Sequence, residues 1–326
     1  MFSTDSLSLP ASIALAALQA LMLLLLAPLL SGISRKIRAK MHSRIGPMGV
    51  RGVLQDYRDI AKLMTRQEVT PVNSGVIFRA MPFILISSML TVAMTLPIIT
   101  QGSLLGSASD LITLIYIFAL FRFFFSLSGL DSGSPFAGLG ASRELVIGVL
   151  VEPVLMLSLL VMALIAGSTN IGAMSMLASA NWGGDVPTAA ALAMVACSFA
   201  VFIEMGKIPF DYPEAEQELQ EGPLSEYSGV GLALVSLGIK LKQTVIAALF
   251  ISVFLPFGSA QAGGSLTFGT VVPAMVIFAA KLLAVFVLSA LYENSLARGR
   301  FLLTSKVTWS GFGIAALAFG FYFTKL

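Results

Sequence analysis

The chain has 326 residues, of which 57% are hydrophobic and 11% are charged, and its mean hydropathy is +0.91. A soluble domain carries about a quarter charged residues. This composition therefore excludes an ordinary soluble protein and indicates an all-α polytopic membrane protein. The formal net charge of +3 does not indicate nucleic-acid binding, because the basic residues lie between apolar blocks and form no face interleaved with stacking aromatics.

The chain has one cysteine, Cys197, inside an apolar run, and one histidine, His42, among basic residues. Iron–sulfur clusters need several cysteine ligands, and haem or zinc sites need sets of histidine or cysteine. We therefore expect no metal, no cofactor and no active site in this chain itself. Cys197 is interpreted as a small buried apolar residue and His42 as a surface residue.

Eight blocks of about 20 mostly apolar residues predict eight membrane-spanning helices. Asp5 but no Lys or Arg precedes the first block, so we interpret it as a spanning helix with its N-terminus outside and not as a signal peptide. The predicted spans are 11–31, 80–100, 109–129, 144–166, 187–206, 228–256, 270–292 and 306–324.

The distribution of basic residues predicts the orientation of these spans. The connection 32–79 is strongly basic, so we place it in the cytoplasm. Treating 228–256 as one long tilted helix puts the basic loop 293–305 on the same side, whereas two short helices would put it outside. We therefore predict a single transmembrane bundle over 1–326, in a bacterial inner membrane, with its large connections, 32–79 and 205–227, cytoplasmic.

The second of these connections is strongly acidic. Asp211 is predicted to cap a short helix that begins near Pro213 and ends at Gly222. Three glutamates would share one face of this helix, and crowded carboxylates have raised pKa values, which suits proton uptake. The alternative is a solvated acidic face or a docking patch for a basic partner. The three are Glu214, Glu218 and Glu221, and the other ionisable residues of the connection are Lys207, Glu216 and Glu226.

Ionisable residues also lie within the predicted spans, where each charge costs roughly 2.5–3.5 kcal/mol at mid-membrane. Glu152 is the best candidate for a buried proton carrier, and the alternative is a structural ion pair with a lysine. Lys240 and Lys242 point about 200° apart on a helix, so both cannot face one polar interior. Glu204 and Glu293 lie near span ends and are expected to reach water. The residues of a possible intramembrane relay are Lys240, Lys242, Lys281 and Glu293.

The segment 127–144 is rich in glycine and serine and precedes the fourth span. It carries Asp131 and ends in Arg143 and Glu144. We predict a loop whose backbone can approach a ligand or partner closely. It contains neither a GxGxxG nor a P-loop pattern, so nucleotide binding is not supported.

Four groups of residues form a pattern that extends over nearly the whole chain. They are Arg44, Gly46, Pro47, Leu54, Gln55, Asp59 and Lys62; Ala141 to Glu144 with Glu152 and Pro153; Glu204 to Asp211 with Pro213 to Glu216; and Glu226 to Gly229. This pattern resembles the subunit 1 family of respiratory complex I. Two further stretches, 130–136 and 216–224, resemble its hydrogenase branch, and 297–303 resembles the hydrogenase-4 type.

The resemblance implies a non-redox membrane subunit of a [NiFe]-hydrogenase complex of the hydrogenase-4 or formate hydrogenlyase type. Such a subunit docks a hydrogenase large subunit and an iron–sulfur subunit, which hold the [NiFe] and iron–sulfur clusters. It faces antiporter-like subunits in the lipid bilayer and contributes to redox-coupled proton or ion translocation. Hydrogen-evolving relatives need no quinone to complete their electron path.

The resemblance also implies roles for particular residues. A cytoplasmic entrance would be lined by Glu204, Asp211, Glu214, Glu216, Glu218, Glu221 and Glu226. The route would continue into the membrane through Asp131, Glu144 and Glu152.

Two alternative functions stay open. The chain could be the quinone-site subunit of complex I itself, which predicts a bound quinone. It could instead be a stand-alone ion transporter, although it has neither internal repeats nor broken helices.

Overall fold

The computed structural model describes residues 9–46, 52–72, 74–261, 268–297, 299, 301 and 304–325. Within these ranges the chain is helical and contains no strand. The helices, in chain order, are α1 (Leu9–Met41), α2 (Gln55–Met64), α3 (Val76–Thr95), α4 (Leu111–Asp131), α5 (Pro135–Ala166), α6 (Ile171–Ala180), α7 (Pro187–Glu204), α8 (Glu216–Leu219), α9 (Gly229–Phe254), α10 (Phe268–Ser295) and α11 (Thr304–Thr324).

Eight of the described helices are long and apolar enough to cross a membrane, which confirms the predicted class and number of spans. They are all of the helices except α2, α6 and α8. The predicted sixth span is one continuous helix, α9, of 26 residues. The first helix is longer than predicted, because α1 continues through the basic residues Arg35 and Arg38 to Met41.

The predicted loop at 127–144 is wrong, because α4 continues to Asp131 and α5 begins at Pro135. The glycines of this segment serve close helix packing. A Cβ atom on Gly129 would lie 2.8 Å from the carbonyl oxygen of Ala137, and one on Gly140 would lie 2.9 Å from that of Pro213. Small residues allow helix backbones to approach in this way, so the glycine and serine content reflects contact between elements and not an irregular chain.

The predicted helix between Asp211 and Gly222 is also wrong, because only the single turn α8 is helical. Three successive residues that end at Gly222 have positive φ angles, which stops the helix. Gly222 lies against Pro213, where a Cβ atom would come within 2.3 Å of the proline carbonyl oxygen. The connection therefore folds back on itself and does not present one acidic helical face.

One end of the bundle, which we call the basic face, carries α2, the connection 205–228 and the last turn of α1. Asp131 joins elements at this face, since its carboxylate accepts hydrogen bonds from the backbone N–H groups of Gly75 (2.9 Å) and Phe78 (3.0 Å). Tyr227 stacks on Phe78 with ring centroids 4.0 Å apart and donates its hydroxyl to the carbonyl of Phe78. These contacts fix the connection 205–228 against the beginning of α3.

At the other end of the bundle, three connections hold one another by backbone hydrogen bonds. The Ala260 N–H donates to the Ile99 carbonyl, and the Leu111 N–H donates to the Thr169 carbonyl, both at 2.9 Å. Helix α9 is the most enclosed span, because 67% of the residues in its 18-residue apolar stretch are buried. In the corresponding stretches of α10 and α11, only 22% of the residues are buried. The polar side chains of α9 therefore face other helices, and α10 and α11 are left at the lateral surface.

Candidate functional site

A single arginine lies at the centre of the bundle and contacts three carboxylates. Arg122, on α4, has only 6% of its side chain exposed. Its Nε lies 3.4 Å from Glu144 Oε1, and its two terminal nitrogens donate to Glu152 and Glu204. Glu144 and Glu152 lie on α5 and Glu204 ends α7, so one guanidinium joins three spans.

A second cation completes this group from α9. The Lys242 Nζ lies 3.2 Å from Glu144 Oε1 and 3.3 Å from Glu204 Oε2. Glu144 and Glu204 therefore each contact both cations, whereas Glu152 contacts only Arg122. We call these five residues the charge cluster.

Glycine on α5 makes room for the arginine. A Cβ atom on Gly148 would lie 2.4 Å from Nη1 of Arg122, closer than real Cβ atoms approach another heavy atom. Arg122 was not among the residues singled out from the sequence. A charged residue inside an apolar span is costly and is therefore a candidate functional residue. Arg122 lies inside the run from Leu111 to Leu130, so this criterion would have identified it.

The charges of the cluster do not balance when every group is ionised. It contains two cations and three carboxylates, and an uncompensated charge away from water is strongly unfavourable. The imbalance disappears when one carboxylate carries a proton. The exposed fractions of the carboxylate side chains are 14% for Glu144, 31% for Glu152 and 4% for Glu204, so Glu152 is the most accessible of the three.

The open side of Glu152 faces the lateral surface of the bundle. Val149 and Met156, three residues before it and four after it, share its face of α5 and are 72% and 46% exposed. Glu152 thus lies in a row of exposed apolar side chains, where the membrane or a neighbouring subunit would cover it.

A cavity connects the charge cluster to the acidic connection. The cluster residues Arg122, Glu144, Glu204 and Lys242 line one part of this inner cavity. A second and wider cavity, which we call the vestibule, lies beside it and is lined by charged residues of α1, α10 and the connection. The residues that line both cavities are Gly206, Asp211, Glu214 and Gln243.

Glu214 lies where the two cavities adjoin, and its environment disfavours its charged form. Burial raises the pKa of Glu214 from 4.5 to about 7, and the charges of Glu144, Asp211 and Glu221 act in the same direction. Lys242 opposes this shift. A carboxyl group with this pKa exchanges its proton near neutral pH.

A buried lysine lines the vestibule. The Lys207 Nζ donates to Ser289 Oγ at 2.9 Å and lies 4.8 Å from the ring centroid of Phe286. Burial lowers the pKa of Lys207 to about 8, against the opposing effect of the Glu293 carboxylate, and Arg38 lowers it further. Lys207 therefore also exchanges protons within a unit or so of neutral pH.

The expectation that Glu204 and Glu293 reach water is wrong. Glu204 is enclosed by the two cations of the cluster, and Glu293 has 3% of its side chain exposed and forms a salt bridge with Arg38. Both glutamates lie at the basic-face ends of their helices, where sequence position suggests water. Basic side chains from other helices cover them instead.

The two lysines of α9 face different partners, as their angular separation predicts. The Lys240 Nζ lies 3.4 Å from Asp56 Oδ2, and Arg35 forms a second salt bridge with this buried aspartate. Asp56 thereby ties α2 to α1 and α9.

No direct salt bridge or hydrogen bond between described residues joins the four residues of the suggested relay, Lys240, Lys242, Lys281 and Glu293. The relay therefore stays a prediction.

Arg143 connects α5 to the acidic connection. Its Nη1 lies 2.6 Å from Glu218 Oε2 and 3.5 Å from the carbonyl oxygen of Tyr212, and its guanidinium lies 5.4 Å from the ring centroid of Phe301. Of the other acidic residues, Glu221 is exposed and Glu226 is partly exposed. The side chain of Glu216 lies outside the described residues.

The sequence interpretations of Cys197 and His42 agree with their positions. Cys197 is completely buried. His42 is exposed at the basic face, with its Nε2 3.2 Å from Asn294 Oδ1.

Comparison with known proteins gives a consistent relationship. The family model described as NADH dehydrogenase matches residues 13–324. Hydrogenase-4 component C of Escherichia coli (strain K12) is 59% identical, with 94% of this chain and 95% of the relative covered. Formate hydrogenlyase subunit 4 of the same organism is 52% identical, with 93% and 96% covered. NADH-quinone oxidoreductase subunit 8 of Rhodothermus marinus is 30% identical over 72% of each chain.

A solved structure shares the fold. A chain of the membrane-bound sulfane sulfur reductase, an archaeal respiratory membrane complex, superposes with a TM-score of 0.79 at 22% identity, covering 94% of this chain and 98% of that one. The fold, the family match and the two close relatives agree with the resemblance found in the sequence motifs. The chain therefore belongs to the NADH dehydrogenase family of membrane subunits, and hydrogenase-4 component C and formate hydrogenlyase subunit 4 are close homologues.

Proposed function

We propose that this chain is the non-redox membrane subunit of a [NiFe]-hydrogenase complex in a bacterial inner membrane, with its basic face in the cytoplasm. It anchors the hydrophilic catalytic arm and moves protons between that face and a lateral membrane subunit. The observation that carries the proposal is the charge cluster, which holds three carboxylates against two cations between the inner cavity and the lateral surface.

The cluster holds one exchangeable proton, and Glu152 carries it. Charge neutrality requires one protonated carboxylate among the three. Glu144 and Glu204 each contact both cations, and a nearby cation favours the ionised form. Glu152 contacts one cation and is the most exposed, so the proton resides there and can leave toward the lateral surface.

The supply of protons comes from the vestibule. Glu214, with a pKa of about 7, exchanges protons with water there and also lines the inner cavity. Protons pass from Glu214 through the inner cavity to the carboxylates around Arg122 and then to Glu152. Asp211 lines the same two cavities and assists at the entrance. A change in the partner arm that moves the connection would alter the environment of Glu214 and so couple redox chemistry to proton transfer.

The docking surface for the arm is the acidic connection. It presents exposed glutamates on a segment that Arg143 holds in place through Glu218 and the Tyr212 carbonyl. The arm consists of a hydrogenase large subunit and an iron–sulfur subunit, which hold the [NiFe] and iron–sulfur clusters. Antiporter-like subunits cover the face of α5 where Glu152 opens. The close homologues are hydrogenase-4 and formate hydrogenlyase subunits, which supports this set of partners.

Gentle purification through a tag on this chain, followed by mass spectrometry, tests the partners. We expect a hydrogenase large subunit, an iron–sulfur subunit and antiporter-like membrane subunits in the sample. In the Arg143→Ala variant, we expect the two hydrophilic subunits to fall several-fold while the membrane subunits remain, because the docking segment loses its support. Arg79→Ala, an exposed arginine at the start of α3, is the matched control. Flavin- and NADH-binding partners, or a lone homo-oligomer, would contradict the assignment.

Replacing Glu152 tests the proton path in the intact complex reconstituted into proteoliposomes. We expect Glu152→Gln to reduce proton translocation by at least about tenfold, because the amide cannot release a proton. Hydrogen evolution from a soluble electron donor in uncoupled vesicles should persist, since no cluster residue takes part in redox chemistry. Glu152→Asp should retain part of the transport, and Asp185→Asn, an exposed residue at the opposite end of the bundle, is the control. Normal translocation by Glu152→Gln would refute the path.

The pH dependence of stability tests the state of Glu214. Its pKa rises from 4.5 in the unfolded chain to about 7 in the folded protein, so the folded state retains a proton that the unfolded state releases. Stability from this group is fully present below about pH 4.5 and is lost as the pH rises through 7. We expect the thermal midpoint of the complex to fall more between about pH 5.5 and pH 8 in the wild type than in Glu214→Gln. Identical pH profiles would show that Glu214 does not titrate in this range.

A further inference from the structure

Helix α2 lies beside α1 and not beyond its end. A Cβ atom on Gly32 of α1 would overlap the carbonyl group of Val53, two residues before α2 begins. Gly32 lies nine residues before Met41, where α1 ends, and nine residues extend about 14 Å along a helix. At this point the apolar stretch of α1 gives way to basic residues, of which Arg35 is the first. Helix α2 therefore lies at the level where the hydrocarbon layer meets the lipid head groups.

The acidic residues of α2 already have partners within the chain. Asp56 is completely buried and forms salt bridges with Arg35 of α1 and Lys240 of α9. Asp59 accepts a hydrogen bond from Gln55 at 2.8 Å, and its other carboxylate oxygen lies 3.8 Å from Arg35 Nη1. The bundle thus compensates both carboxylates of the helix.

The outer face of α2 carries two cations without a counter-ion. Arg58 and Lys62 are exposed and lie four residues apart, so they share one face of the helix. No described carboxylate forms a salt bridge with either of them. The stretch 47–51, which precedes α2 and lies outside the described residues, contains no acidic residue. Like charges at this spacing repel each other, and an anion between the two side chains would remove the repulsion.

An apolar ridge runs along α2 beside these cations. Leu54, Tyr57, Ala61 and Met64 follow the spacing of three and four residues that places side chains on one side of a helix. Leu54 and Met64 are 38% and 40% exposed, and Ala61 is also exposed. The Tyr57 hydroxyl donates to the Leu25 carbonyl, within the apolar part of α1. An apolar side next to a basic one is typical of a helix that lies in the plane of the membrane surface.

We propose that the outer face of α2 binds an anionic phospholipid, with its phosphate between Arg58 and Lys62 and its acyl chains against the apolar ridge. Both parts of this ligand are needed, because water would compensate the cations but leave the ridge exposed. In the function proposed above, the catalytic arm meets the acidic connection at the end of the bundle, whereas α2 lies beside α1. Charge complementarity favours a head group with a net negative charge. The inference does not depend on the proton path, since no member of the charge cluster belongs to α2.

A photo-crosslinking amino acid in place of Ala61, in the intact complex in its native membrane, identifies the ligand. We expect phospholipid adducts whose ratio of anionic to zwitterionic lipid exceeds that of the membrane about 25-fold, because each of two cations favours an anion about fivefold. The same amino acid in place of Val149, on α5, is the control. The proposed function predicts a protein adduct there, and that result bears on the proposed function alone. At position 61, a protein adduct, lipid adducts in the ratio of the membrane, or no lipid adduct would overturn the inference.

Charge variants test whether the two cations select the lipid. In the crosslinking complex, we expect Arg58→Gln and Lys62→Gln each to lower the ratio of anionic to zwitterionic adducts about fivefold, and the double variant to lower it to that of the membrane. Arg58→Lys should retain the ratio. The matched control is the double variant Arg79→Gln with Lys306→Gln, which removes exposed cations from α3 and α11 and should leave the ratio unchanged. An unchanged ratio in the double variant of α2 would refute the site.

A stability measurement checks the same site without a crosslinker. The intact complex is placed in nanodiscs of phosphatidylcholine, either alone or mixed with phosphatidylglycerol. We expect phosphatidylglycerol to raise the thermal midpoint of the wild type, because a ligand that binds the folded state stabilises it. The increase should be lost in the variant with Arg58→Gln and Lys62→Gln and kept in the control variant. Equal midpoints of the wild type in the two lipid mixtures would contradict the inference.

Discussion

The arrangement of the membrane core depends on one guanidinium group. Arg122 binds carboxylates from α5 and α7, and Lys242 brings α9 to the same two helices. Because these ions lie away from water, removal of Arg122 would leave three carboxylates with one cation, a change that is strongly destabilising in buried ion pairs. When all five groups are ionised, the cluster has one more carboxylate than it has cations, and this excess allows it to hold a proton.

The charge cluster lies between the inner cavity and the lateral surface, and this position relates its charges to function. On one side, the inner cavity reaches Glu214, whose pKa lies near neutral pH because the connection 205–228 buries it beside other carboxylates. On the other side, Glu152 opens to the lateral surface. In the function proposed above, movement of the connection would change the charge at the cavity, which suits a subunit that joins a catalytic arm to neighbouring membrane subunits.

Much of the fold can be predicted from apolar blocks and basic connections, and these are properties of local sequence. The eight spans, the single sixth helix and the divergence of Lys240 and Lys242 follow from length and helical periodicity. The errors arise where contact between distant segments decides the structure. Gly140 looks like part of a loop but packs against Pro213, and Glu204 looks solvated but is enclosed by cations from α4 and α9.

The candidate site, too, can be predicted only in part from the sequence, because contacts between distant segments complete it. The family motifs and the ionisable residues of the spans include four members of the cluster, but Arg122 stands alone in an apolar run and belongs to none of the motifs. Only the packing of α4 against α5, with Gly148 opposite the guanidinium, brings it to the carboxylates. Which carboxylate lacks a second cation depends on distances between side chains that no sequence spacing specifies.

Infrared difference spectroscopy tests most directly whether Glu152 holds the proton of the cluster. The intact complex is compared with its Glu152→Gln variant at neutral pH, both in a Glu214→Gln background so that Glu214 adds no signal. We expect the variant to lack one carbonyl band of a protonated carboxylic acid, a band that shifts on transfer to heavy water. If no such band disappears, Glu152 is ionised and the charge cluster does not store a proton in the way described.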